Sequence, residues 1–450
     1  MKNIFLKVSL FFIGLQTIQG QDHFLGITTS KRGGLLNATL NPAELSNMNM
    51  LIDVNIYNMS LTFSNNKLSF NDLVNGSNLE SKFFEGNEPT NARIDGLIIG
   101  PGVAFKLGRW SYAVSTQASI KANLIDINTS LGNAIQSGSF TSALPNLVLS
   151  KENQRINATT WGELDFSVAR KIIELGRHKI AGGATVKVLF PGAYANFGAS
   201  NFSGTITNVG GNYIVTNANA AINLSYSSIL GNDFNNSSNF TNFFNQGING
   251  IAADLGVTYS FKDKDSKNIL LHAGLSIKNI GSMNFKTDHN TSIDYTLNIS
   301  GTQSLNLSQF ENINSFQELE QQLATGQNAQ LFQKTTSSSA FKVKMPTTVN
   351  LYADLKILSK FYITGIVNQK IIDESENTQI TTQNTYTLIP RFSIKTFEVF
   401  IPLTQNEISK FTTGIGIRVG GFYIGSNSII STAMNNSKQA DAYFGFRFGI

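Results

Sequence analysis

The chain has 450 residues, 41% hydrophobic and 14% charged, with 34 basic against 29 acidic residues, a net charge of +5 and no cysteine. A charged share well below the roughly 25% of soluble domains, without the ~18 consecutive apolar residues of a spanning helix anywhere past residue 20, excludes a polytopic helical membrane protein. The 10% aromatic share excludes a disordered chain, the missing cysteines exclude disulfides and thiolate chemistry, and no Lys/Arg cluster offers a nucleic-acid footprint.

The chain opens with Lys2 and Lys7, an apolar run from Val8 to Leu15, and Gly20 before Gln21. This charged, apolar, small-residue order predicts a cleaved signal peptide over 1–20 and an exported protein. Residues 21–48 are turn-rich and precede the first strand. Within them Asn41-Pro42-Ala43 forms a shaped turn, because Pro42 fixes φ and keeps Asn41 out of the helical region. Such a segment is either an ordinary lead-in or a hatch that occupies the interior enclosed by the later strands.

From residue 49 to 450 the dominant signal is period-two alternation, which places alternate side chains on opposite faces of a strand. Leu97, Ile99, Val103, Phe105 and Leu107 read as one apolar face leading into a turn at Gly108-Arg109. Trp110, Tyr112, Val114, Thr116, Ala118, Ile120, Ala122 and Leu124 alternate with Ser, Gln, Lys and Asn. Glu163, Asp165 and Ser167 oppose Leu164, Phe166 and Val168, and a turn at Gly176 leads to a strand over 180–190. Two weaker strands are expected at about 194–226. Strands then flank the charged turn at 262–267, with Ala253 to Phe261 before it and Ile269 to Ile277 after. In the long connection 281–345, Ile293 to Ile299 predict a short strand, and Ser315 with Glu318 a capped helix ending near Gly326. Val349 to Ile357, Phe411 to Val419 and the closing Ala442 to Ile450 complete the pattern.

Short turns alternate with long polar connections at 126–159, 227–247, 281–345, 372–384 and 431–440, the arrangement of an outer-membrane barrel with long loops outside. A soluble sandwich also alternates, but its strands average five or six residues, and its outward face carries more Lys and Glu. The expected fold is therefore all-β: a transmembrane, antiparallel, up-and-down β-barrel of about 14–16 strands with an N-terminal plug-like segment. Trp110, Tyr112, Trp161, Tyr259, Phe446 and Phe448 are candidates for an aromatic girdle at the membrane interface.

Catalytic signatures are missing: there is no GxSxG elbow, P-loop or HExxH. His272 falls on the lumen face with Ser276 two pleats along, a pairing that barrel hydrolases use, yet a lone lumen histidine is more often a polar wall residue. Asp165, Glu163, Asp254, Lys187 and Lys278 point inward by parity and are expected to satisfy one another. No enzyme activity, cofactor or metal is expected.

Asn41-Pro42-Ala43, the run Lys344 to Asp354, Gly421 to Asn427 and Phe444-Gly445-Phe446-Arg447-Phe448 together resemble an uncharacterised family of Bacteroidota outer-membrane barrels. That family is more distantly similar to the long-chain fatty-acid transporter barrels, in which an Asn-Pro-Ala turn belongs to the N-terminal hatch. The resemblance implies the same role for Asn41, Pro42 and Ala43. The functional expectation is a channel or transporter for a hydrophobic or small solute. The alternative is a structural, adhesive or secretion- and motility-associated platform displaying long loops. Expected partners are membrane lipid, a hydrophobic small molecule and other envelope proteins, with no nucleic acid.

Overall fold

Alternation becomes two faces of one wall. Leu61, Val103, Phe105, Val114, Phe166 and Val186 are exposed on the outside, while Ser60, Thr62, Ser115, Asp165 and Thr185 are buried within. The computed structural model describes residues 23–76, 79–136, 146–231, 243–244, 247–264, 268–286, 290–310, 313, 315–434 and 437–450. The expected signal peptide over 1–20 lies outside them.

In chain order the strands are β1 (Ile52–Asn65), β2 (Thr90–Leu107), β3 (Trp110–Ile127), β4 (Asn146–Ser150), β5 (Gln154–Leu175), β6 (His178–Val209), β7 (Asn212–Tyr226) and β8 (Gly250–Lys262). They continue with β9 (Ile269–Phe285), β10 (Thr291–Ile299), β11 (Leu305–Asn306), β12 (Phe332–Ser338), β13 (Phe341–Lys344), β14 (Thr348–Lys356) and β15 (Phe361–Lys370). The last are β16 (Thr385–Ser393), β17 (Phe397–Phe400), β18 (Leu403–Asn406), β19 (Lys410–Thr413), β20 (Ile415–Val419), β21 (Phe422–Ser426) and β22 (Gln439–Gly449).

The ring runs β1-β2-β3-β5-β6-β8-β9-β14-β15-β16, then β17 with β18, β19 with β20, β21 and β22. Antiparallel pairing of β22 with β1 closes it as a 14-strand barrel. Closure leaves no unpaired edge in the ring, the condition for a sheet to stand in lipid. One end carries tight turns; those at Gly108, Gly176 and Gly420 have φ of +62°, +57° and +59°, a region that favours glycine. The other end carries the long connections.

Two expectations are corrected. Leu97 and Ile99 do not share a face with Val103: between Ile99 and Gly102 the β2–β3 register shifts, so Gly100 and Pro101 form a bulge. The extra residue flips the parity, turning Ile99 into the lumen while Val103 stays outside. Proline is tolerated there because a bulge leaves its missing N–H without a ladder partner. Nor does a strand stop at Phe190. β6 is a single strand of 32 residues that changes partner midway, with His178–Leu189 pairing β8 and Ala195–Val209 pairing β7. Between the two stretches a bulge at 192–193 shifts the register against β5.

Beyond the ring the far half of β6 continues into β7, β10 and β12, with β4 along its other side. This annex curls so that its apolar face, with Phe202, Ile222, Leu224, Leu297 and Phe332, is buried. The helix Phe316–Ala324 covers that face. Its N-cap is Ser315, whose hydroxyl accepts from the Glu318 N–H as expected.

The outward face sets a stability prediction. Val114→Arg should cost about 2–4 kcal/mol in lipid vesicles, because it puts a charge into the hydrocarbon. Ser119→Asn, aimed into the polar interior, should be nearly neutral. Urea unfolding of vesicle-inserted protein reads both.

Candidate functional site: a plugged lumen

The segment before β1 enters the barrel. Phe24, Leu25, Ile27, Leu36 and Leu40 bury against lumen-facing Ile99, Tyr352, Ile366, Ile389, Phe400, Tyr423 and Tyr443. Room for large rings inside a small barrel comes from glycine on the next strand. Tyr352 lies over its cross-strand partner Gly274, and Phe400 over Gly416. A Cβ at either glycine would stand 2.3 Å or 2.1 Å from the ring.

The segment contains two 3₁₀ turns, Gly34–Thr39 and Pro42–Asn47. Asn41 caps the second: its side-chain oxygen accepts from the Ala43 N–H at 3.0 Å, and Pro42 occupies the position where a missing N–H costs nothing. The Asn41 amide donates to the carbonyls of Val257 (3.0 Å) and Leu275 (3.2 Å), tying the turn to two wall strands. Beneath it Gly183 and Gly256 face each other across β6 and β8. A Cβ on Gly183 would lie 2.5 Å from Ala43 N, and one on Gly256 2.0 Å from Asn41 Oδ1. Asn41, Pro42 and Ala43 thus sit together in a dimple that only glycine permits.

Next to the turn is a latch. Glu44, 4% exposed, is 2.7 Å from His272 Nε2 through Oε1, which also accepts from the Tyr352 hydroxyl. Its Oε2 accepts from Asn47 at 2.9 Å. His272 Nδ1 faces Ser260 Oγ at 2.8 Å. Burial pushes the Glu44 carboxyl up, but the His272 charge and the hydrogen bonds from His272, Tyr352 and Asn47 together hold it below the usual carboxylate range. Ser260, His272 and Glu44 have the residue types of a hydrolytic triad. Both Ser260 and His272 are buried and stand outside the linings of the two lumen cavities beside the plug, and the set ties the plug to the wall. Ser276, the partner expected for His272, instead donates to the Leu40 carbonyl at 2.7 Å, a further plug contact.

Other contacts surround the plug. Ser30 donates to Glu398 at 2.8 Å, Leu35 N–H to Asp53 at 3.0 Å, and Tyr443 OH to the Leu25 carbonyl at 2.8 Å. His23 meets Ser60 at 2.9 Å. The inward charges neutralise one another: Lys187 lies 3.3 Å from Glu163 and 3.2 Å from Asp254, Arg391 2.9 Å from Asp354, and Arg418 2.6 Å from Glu398. Lys121 pairs with Asp95 and Arg447 with Asp53.

At the long-loop end the connection 371–384 folds into the mouth as a lid. Arg155 donates to the Glu376 carbonyl at 2.6 Å, Asn153 to Ser375 at 2.7 Å, and Tyr194 OH to Asn377 at 2.7 Å. Between plug and lid remains a polar cavity of about 120 Å³, lined among others by Leu40, Asp95, Lys121, Glu163 and Lys187. A smaller one of about 10 Å³ lies beside Leu35 and Ser115.

Trp161 belongs to this interior and not to a girdle. It is 2% exposed, packs with Leu189, Tyr194, Met345 and Ile380, and donates to Glu163 at 2.6 Å. It shares the odd parity of Glu163 and Asp165, which put it inside. The other girdle candidates are outside, toward the turn end. Trp110 and Phe446 are 41% and 46% exposed, Phe448 is exposed, and Tyr112 and Tyr259 are half-buried. Trp110 stacks on Tyr112 with centroids 6.3 Å apart, and Arg170 lies over the Trp110 ring.

An antiparallel ring closed on itself, greasy outside, charge-paired inside and filled by its own N-terminal segment, defines a plugged β-barrel of the membrane-spanning kind. Residues 42–427 match the model of a family of unknown function, DUF5723, and the chain belongs to that family. No curated protein matches. Among solved structures it is similar to the toluene transporter TodX of P. putida, at 8% identity and a TM-score of 0.43 over 92% of this chain and 94% of that one. It is also similar to a FadL homologue of Pseudomonas aeruginosa, at 7% identity and a TM-score of 0.41 over 92% of each chain. The CymD monoaromatic hydrocarbon channel aligns at 10% identity and a TM-score of 0.43 over 93% of each. At such scores the fold rests on the strand pairing of the chain itself.

Proposed function

We propose that this protein is an outer-membrane barrel that passes a small or hydrophobic solute and is gated by its N-terminal segment. The observation that carries the reading is the plug itself. The bore is filled by the protein's own chain, capped by a hydrogen-bonded turn and held by an ionic latch to wall side chains that can break while the hydrogen-bonded ring stays intact. A buried Glu–His pair is a weak device for stability alone, since well-packed apolar residues are often as stable. Trp110, Tyr112, Tyr259, Phe446 and Phe448 serve in this reading as an interfacial ring in lipid.

Planar-bilayer conductance tests it. Full-length protein should be nearly silent, and protein lacking residues 21–48 should open steps that the full-length chain lacks. A deletion variant that inserts and stays silent overturns the gate. A second reading, the barrel as a display platform, is favoured by the annex, whose β12 surface from Gln333 to Ser338 is exposed and polar. Envelope proteins that co-purify and are lost when the annex is removed, with conductance unchanged, would select it.

A further inference from the structure

A large apolar cavity lies outside the lumen. About 710 Å³ in volume, it is bounded by Phe63, Ile94, Leu124 and Ile156 on one side and by Leu297 and Phe332 of the annex on the other. Phe63, Ile94, Leu124 and Ile156 are on the outward parity of β1, β2, β3 and β5, the parity of exposed Leu61, Val114 and Phe166. The cavity therefore sits outside the ring, between the outer wall and the curled annex. From the helix Phe316–Ala324, residues Phe316, Leu319 and Leu323 close it.

From these observations we infer that this cavity holds the acyl chain of a membrane lipid. Its size suits an apolar ligand of moderate length. Arg93, Asn123 and Asn157 are its polar lining residues, but all three stand on the inward parity, with their polar ends turned to the lumen. Arg93 donates to the Leu124 carbonyl at 2.5 Å and lies 3.9 Å from Glu374 of the lid, and Asn123 donates to Asn157 at 2.7 Å. The walls that face an occupant are hydrocarbon, so the end buried there must be hydrocarbon too. The source follows from continuity. On β3 the outward row Val114, Thr116, Ala118, Ile120, Ala122, Leu124 runs from the exposed belt into the cavity, and on β1 Leu61 leads to Phe63. A lipid chain reaches the cavity along this continuous row without crossing water. The inference rests on the membrane placement of the barrel but not on transport through it.

Photolabelling in phosphatidylcholine vesicles carrying a diazirine on one acyl chain provides the test. Peptides containing Leu297, Phe310 and Phe332 should be labelled. Ala158→Phe and Leu319→Trp, which fill the cavity from opposite sides, should each lower that labelling about tenfold, the equivalent of excluding two methylenes, while heat-modifiable gel mobility stays that of the wild type. Protein that inserts but is labelled only around Val114 and Phe166 overturns the inference and leaves the barrel standing. Labelling by a diazirine alkane added from water, without labelling by the lipid probe, also overturns it and makes the occupant a free solute. Protein that fails to enter vesicles overturns the membrane placement and this inference with it.

Discussion

Gly183→Val and Gly256→Val should each expel the plug turn and leave the wall standing. The added Cβ would meet Ala43 N, a backbone atom of the proline-fixed turn, at 2.5 Å, or Asn41 Oδ1 at 2.0 Å, and the Asn41 amide can swing aside only by giving up its bonds to Ala43, Val257 and Leu275. Overpacking of this kind costs typically 1–3 kcal/mol, and occasionally more. The plug can escape that cost by leaving, because it is not part of the hydrogen-bonded ring. The expected result is faster tryptic cutting after Lys31 and Arg32 with unchanged heat-modifiable mobility. Gly182→Ala is the control: it lies on the opposite face, where the added carbon meets only the flexible end of Ile172 at 3.1 Å. Equal protease resistance in Gly183→Val and wild type would mean that the turn does not depend on the dimple.

The latch carries the second large effect. Glu44→Ala or His272→Ala leaves the other partner buried without its counter-charge, a loss of about 3–5 kcal/mol for a fully desolvated pair. The double replacement Glu44→Leu with His272→Leu should recover part of it, because no uncompensated charge remains. The pH dependence has a definite sign. With its carboxyl held below the usual range in the docked state, Glu44 contributes stability that is fully present above the free value of about 4.3. That stability is lost as pH falls through the lowered docked value. Protease protection of the plug should therefore weaken as the pH falls into the acid range. In Glu44→Gln this acid step should shrink; an unchanged step would move the titration to another group.

Much of the architecture is legible because membrane barrels print their two faces onto alternate residues. Turn positions at Gly108, Gly176 and Gly420, the Ser315 cap and the self-pairing of Lys187 with its acidic neighbours all follow from local pattern. Readings failed where one residue altered the count. The Gly100-Pro101 bulge inverts Leu97 and Ile99, and Trp161 follows its own inward parity rather than the interfacial preference of its side-chain type. The Asn41-Pro42-Ala43 turn stood out locally through its cap and proline. Glu44, one residue further on, did not, since its meaning comes from His272, 228 positions away. Nothing local marks such a pair. An acidic residue buried in a turn-rich segment, with a lone lumen histidine elsewhere, is the faint signal that would have suggested it. The cavity outside the ring was equally unreadable, because it depends on which half of β6 meets which neighbour.

β6 also has a consequence for the order of assembly. Its far half folds back onto β7 across Gly210-Gly211, a closure with almost no loop entropy to overcome. Its near half must wait for β8, beginning at Gly250, and contacts of greater sequence separation form later. The annex hairpin therefore forms while the near half of β6 is still an unpaired edge, and holds that edge in register for the incoming strand. What looks like an appendage on the finished barrel is, in time, the jig on which this stretch of the wall is completed.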